Sequence, residues 1–224
     1  EAQARLKLYE FIREMDALQA VEEPVTLRSG DKEDEAVALA KDSLVSYLRL
    51  PAQQTGAIGL EDVRGAGQPG IYAVVLSYGD YLFEYSVNID NDTAQLIRIY
   101  DYSSSGEVTI VDPAEDTYEV YEYDEQNQIL GKILSRGIVD VQGTYVEEEV
   151  FDYSVSGRVT ITNAADRTYQ TYEYKSSIRE TGRLIESGSL DANCNRYAGQ
   201  TYDYSTPGKV TVLSLSDPTY ETYA

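Results

Sequence analysis

The sequence predicts an α+β protein: N-terminal helices packed on an antiparallel sheet, followed by an all-β array of 51-residue antiparallel repeats. Three observations predict it. Apolar residues in the first 50 positions recur at helical spacing; beyond residue 70, Tyr, Val, Thr and Ile alternate with polar residues at the period of a strand. The phrases YDYSSSGEVT, FDYSVSGRVT and YDYSTPGKVT open at Tyr100, Phe151 and Tyr202, each 51 residues after the last.

Taken in order, residues 1–24 form an amphipathic helix. Leu8, Phe11, Ile12, Met15 and Leu18 share a face, charged residues lie between them, and Pro24 ends the run. Such a stripe serves core packing or a neck to an anchor. Residues 25–99 hold the rest of the α+β part. Asp31 is the expected N-cap of a second helix, Glu33, Asp34 and Glu35 favour the positive end of its dipole, and Val37, Ala40, Leu44, Tyr47 and Leu48 make its apolar stripe before Pro51. After a loop rich in Gly and Gln come three expected strands: Tyr72 to Tyr78, Tyr81 to Asn88, and Leu96 to Tyr102. Gly79-Asp80 makes the first hairpin and the DNDT stretch, Asp90 to Thr93, the second.

Residues 31–103 resemble a PepSY domain in the acidic helix EDEAVALAKDSL, the strand YAVVLSY and the closing hairpin YLFEYSVNIDNDTAQLIRI. The resemblance spans about a third of the chain, departs at Ala94-Gln95 where that family's turn has glycine, and brings no site residues across. It implies a non-catalytic module outside the cytoplasm, with peptidase inhibition as one role.

The region 100–224 contains units 100–150, 151–201 and a partial 202–224, which align without a gap. Asp101, Asp152 and Asp203 correspond, as do Tyr102, Tyr153 and Tyr204, and Gly106, Gly157 and Gly208. Each unit reads as about four short strands; in the first they fall near 97–103, 107–112, 116–124, 129–136 and 144–154, the last running into the next unit. The glycine after YS-x-x supplies a turn with a positive backbone dihedral. Fifteen of the 21 tyrosines lie beyond residue 99, and tyrosine suits a thin sheet because its ring buries area while its hydroxyl stays wet. The stretch YEYDEQNQILGKI is faintly similar to the tyrosine-aspartate repeats of bacterial surface proteins.

Composition excludes several functions. Thirty-nine acids against 18 bases give a net charge of −21, which repels nucleic acid and anionic membranes. Without histidine, no Ser-His-Asp or Cys-His arrangement forms within the chain. The single Cys194 excludes an internal disulfide and a multi-cysteine metal site; it is either a small buried hydrophobe or a link between chains. No apolar run is long enough to span a bilayer. The chain begins at Glu1, which fits either a removed leader or a fragment.

Motif matches carry less than they promise. GAGQPG, Gly65 to Gly70, has the letters of a phosphate loop but precedes a strand and contains Pro69. Asp90 and Asp92 lack the length and glycine of a calcium loop, and Asn91-Asp92-Thr93 matters as a glycosylation pattern only in a eukaryotic secretory route. YVEEEV, Tyr145 to Val150, is a solvated strand or a cationic docking strip. No catalytic residue, cofactor or metal site is expected. The candidate binding residues are Tyr118, Tyr121, Tyr169, Tyr172, Tyr220 and Tyr223, as a stacking ladder or as packing. The expected role is a non-enzymatic protein of the cell surface or extracellular space, in structure, adhesion or assembly, with self-assembly or a protein partner at the sheet edges. A peptidase-inhibiting or propeptide-like module and a carbohydrate-binding module are the alternatives.

Overall fold

The computed structural model describes residues 30–127, 129–176, 179–217 and 219–223. The expected helix over residues 1–24 lies outside them.

The chain is nearly all-β, and this overturns the α+β expectation. The described residues hold one α-helix and are 57% strand, in a single antiparallel sheet of 14 strands. The strands lie side by side in sequence order, β1 to β14, with no crossover. Two features of the first hundred residues explain the difference. A strand unforeseen in the sequence, β1 (Gly59–Gly65), pairs with β2 (Ile71–Tyr78). Its sequence GLEDVRG has glycine at both ends and few apolar residues, so it lacks strand periodicity and owes its extended form to pairing on β2. Further on, β4 (Thr93–Asp101) pairs both with β3 (Tyr81–Asn88) and with β5 (Glu107–Asp112), through Ile99↔Val111, Tyr100↔Ile110 and Asp101↔Thr109. The ladder therefore runs unbroken through residue 100, where a head domain was expected to give way to an array.

Two compact units divide at Gly131/Lys132. In the first, helix α1 (Gly30–Leu48) packs on one face of the sheet. Its buried row is Ala36, Ala40 and Leu44, four residues apart, against Tyr72, Val74 and Leu76 of β2 and Phe83, Tyr85 and Val87 of β3. Asp31 stands inside the first turn rather than at the cap, and Tyr47, placed in the stripe by periodicity, is 52% exposed. Two small alanines let the helix lie close to the sheet. On the opposite face Val75, Leu82, Tyr100, Val108 and Tyr123 form a second cluster that ends on β6 (Thr117–Asp124). GAGQPG is the β1–β2 connection, with Gly67 and Gly70 at positive φ; a Cβ on Gly70 would strike the Asp90 carboxylate. The phosphate-loop letters thus serve a turn.

The remaining strands are β7 (Ile129–Val139), β8 (Tyr145–Asp152), β9 (Arg158–Asn163), β10 (Thr168–Lys175), β11 (Glu180–Leu190), β12 (Arg196–Asp203), β13 (Val210–Ser214) and β14 (Tyr220–Tyr223). The second unit has a thinner core, in which Val159, Thr160, Tyr169 and Thr171 are buried. Thr160 and Thr171 satisfy each other across β9 and β10, hydroxyl to hydroxyl at 3.0 Å, which is what allows two polar side chains in that core. Cys194 is exposed, so its reading as a buried hydrophobe is corrected.

Candidate functional site

The repeat carries over into hydrogen bonds. Asp101, Asp152 and Asp203 each accept the backbone N–H two residues on, from Ser103, Ser154 and Ser205, at 2.9, 2.9 and 2.8 Å. This Asx turn satisfies a donor that the strand end would leave open. Gly106, Gly157 and Gly208 follow at φ +78°, +75° and +74°, a region that L side chains resist. The register then repeats: Val108 opposes Tyr121, Val159 opposes Tyr172, and Val210 opposes Tyr223.

Aromatic packing is copied too. Tyr102 meets Tyr123 edge to face at 5.2 Å, and Tyr153 meets Tyr174 in the same way at 4.9 Å. Lys132 Nζ lies 4.9 Å from the Tyr153 ring centre, and Arg183 Cζ lies 5.1 Å from that of Tyr204. Cation–π contacts that are partly exposed, as these are, stabilise by about 0.5–1 kcal/mol.

The six candidate tyrosines divide by face. Tyr118 and Tyr169 are buried, at 5% and 2% exposure, so neither ring presents a free face to a ligand. Tyr169 donates its hydroxyl to Glu186 Oε1 at 2.6 Å, and its ring lies 5.7 Å from Arg196 Cζ. Burial, then the Glu186 carboxylate, push its phenol up to about 12. Tyr220, their counterpart in the third copy, is 74% exposed on β14. Tyr121, Tyr172 and Tyr223 each donate to the side chain two residues back on the same strand face: Glu119 Oε2 at 2.6 Å, Gln170 Oε1 at 2.7 Å, and Glu221 Oε2. Burial raises the Tyr172 phenol, while the Glu221 hydrogen bond raises that of Tyr223. The structure brings the two sets onto opposite faces, so they do not make one ladder.

Sequence reasoning missed the aspartates. They were aligned in the repeat, but the D-x-S spacing was the signal that marked them as turn caps. The Ser154 amide, then the Ser154 side chain, hold Asp152 below the usual carboxylate range, with Arg196 Nη2 adding a contact at 3.0 Å. Asp191 caps its turn through the amides of Asn193 and Asn195, at 2.8 and 2.9 Å. Its carboxyl is lowered too, first by the Asn195 side chain. YVEEEV lies on β8, where Glu149 pairs with Arg136 at 2.7 Å. Among the described residues no group of three His, Cys, Asp or Glu is placed to hold a metal ion. No described helix is long and apolar enough to cross a membrane.

The fold and these contacts define a tyrosine-rich antiparallel β-repeat protein. No family model matches the chain, and no curated protein matches it. Among solved structures it is similar to a periplasmic gluconolactonase of Pseudomonas aeruginosa, at 10% identity and a TM-score of 0.26 over 62% of this chain and 42% of that one. A luciferin-regenerating enzyme is similar at 11% identity and a TM-score of 0.23, over 74% of this chain and 62% of that one. The chain spans less than two thirds of the length of either. Scores this low carry no inference about fold or chemistry.

Proposed function

We propose that this chain is a non-enzymatic structural element of the cell surface or extracellular space, acting in adhesion or assembly, in which the 51-residue unit is a means of extension. The observation that carries this reading is the conservation of the unit from sequence into turn cap, strand register and ring contact, at a spacing that no catalytic constellation would need. Catalytic groups are placed once; building units are copied. The net charge of −21 supports a solvated, mutually repelling surface.

The test is surface labelling. Antibody raised against the whole chain should stain intact source cells, and external protease should abolish the stain. Staining seen only after permeabilisation would overturn the reading.

A further inference from the structure

In two successive copies a pair of tyrosine rings is held in contact. Tyr102 and Tyr123 meet at 5.2 Å between ring centres with their planes 60° apart, and Tyr153 and Tyr174 meet at 4.9 Å and the same angle. These separations sit near the short end of the range for contacting rings, roughly 4.5–7 Å. The contact joins distant points of the chain: Tyr153 directly follows β8, Tyr174 lies in β10, and β9 runs between them.

Packing alone asks for a ring and not for a phenol. The repeat shows this at a neighbouring position, where Tyr100 and Tyr202 give way to Phe151. Both members of the contacting pair keep the hydroxyl, as Tyr102, Tyr153 and Tyr204 at one position and Tyr123 and Tyr174 at the other. Composition points the same way. The chain has 21 tyrosines but no tryptophan, no histidine, one cysteine and one methionine, so the side chains that compete with phenol for an oxidant are nearly absent. Tyr153 and Tyr174 are both half-buried, which leaves part of each ring facing solvent, while Tyr123 is buried at 8% exposure.

We propose that these tyrosine pairs are sites of oxidative crosslinking, closed to dityrosine by a peroxide-driven one-electron oxidant of the haem peroxidase class, with the pair in the second copy reacting first. Each phenol gives up one electron and its hydroxyl proton. The two phenoxyl radicals then form a carbon–carbon bond between positions ortho to oxygen, and each ring regains aromaticity as its ortho hydrogen moves to the oxygen. The two electrons and two protons reduce one hydrogen peroxide to two waters, so nothing else is consumed. Turning one ring about its Cβ–Cγ bond takes the pair from edge-to-face contact toward ortho-to-ortho contact. In the second copy the new bond ties β8 to β10 across β9. The proposal stands on ring geometry and composition, and not on where in the cell the protein acts.

The test treats the full chain, dilute enough that chains seldom collide, with a catalytic amount of a haem peroxidase and one equivalent of hydrogen peroxide. Expected are dityrosine fluorescence in the monomer fraction and, by tandem mass spectrometry of tryptic peptides, a link between Tyr153 and Tyr174 with the loss of two hydrogens. Further peroxide then links Tyr102 to Tyr123. Tyr174→Phe, which keeps the ring and is checked as folded by circular dichroism, should remove most of the dityrosine formed by the first equivalent. Dityrosine confined to linked chains, links scattered over other tyrosines, or an undiminished yield in Tyr174→Phe would overturn the proposal. So would oxidation consumed at Cys194 and Met15 with the tyrosines intact.

Discussion

Gly143 and Cys194 occupy the same place in successive copies, at the tip of the β7–β8 and β11–β12 hairpins, with φ at +78° and +60°. Their turns are alike in detail. Gly143 N donates to Asp140 O at 2.8 Å and Cys194 N to Asp191 O at 3.1 Å. Each aspartate also accepts two amides on Oδ1, from Gln142 and Thr144 in one copy and from Asn193 and Asn195 in the other. A residue with a Cβ loses roughly 1–2 kcal/mol in this left-handed region. Glycine returns roughly 0.4–1 kcal/mol through its freer unfolded chain. Cys194→Gly should therefore stabilise by about 0.5–1 kcal/mol, a rise in Tm of about 1–4 °C for a chain of this length melting in one transition. Gly143→Cys should lower stability by a similar amount; a Cβ there meets nothing within 4 Å, so only backbone strain is added. Calorimetry under reducing conditions measures both. Shifts of the same sign, or none, would refute the claim that the two hairpins are copies of one turn.

Three other substitutions test separate parts of the structure. Tyr85 is fully buried beneath α1; its hydroxyl, near Ser43, makes no hydrogen bond of acceptable geometry, and burial pushes its phenol up to about 12. Tyr85→Phe should then stabilise by about 1 kcal/mol in urea denaturation, and a loss would show that the hydroxyl is satisfied. Gly188 lies at a bulge in β11 where a Cβ would strike Tyr197 O and the Tyr169 ring, so Gly188→Ala should cost about 2–3 kcal/mol. Gly157→Ala, strained but unobstructed, should cost only about 1 kcal/mol; equal costs in thermal melts would contradict the bulge geometry. The folded-state pKa of Asp152 is depressed, so its ionised form favours the fold. That contribution is complete above the unfolded value of about 3.9 and is lost as pH falls through the folded value. Asp152→Asn should cost up to about 1 kcal/mol at pH 7 in urea titrations, and the difference from the parent should vanish in acid; a difference that grows in acid would reverse the sign assigned here.

Much of the β-repeat was legible because its signal is redundant. The third and second strands of a unit can be checked against their copies, and β5, β6, β9 and β10 fall where the Tyr, Val and Thr alternation puts them. Strand β1 had no copy and no alternation, so its sequence said loop; the physical cause of its form is the unpaired edge of β2, a tertiary fact. The class followed from that omission, since a short sheet under a helix reads as α+β while a ladder continuing through Tyr100 does not. Period two correctly separated Tyr118 from Tyr121 by face. It could not say which face is covered, and Tyr118 and Tyr169 proved buried while Tyr220 is exposed, because coverage depends on neighbouring strands rather than on the residue's own strand. Asp101 and its counterparts were visible as matches, yet the glycine of the same turn absorbed the explanation.

Hydrogen exchange at single-residue resolution tests most directly that the chain extends by copying one hydrogen-bonded unit. The amides of Tyr123 and Tyr174, which donate to Gly106 and Gly157, should be protected to a similar degree. Those of Ser103, Ser154 and Ser205, which donate to aspartates, should form a second matched set. Protection confined to the first copy, with fast exchange at Tyr174 and Ser154, would contradict it.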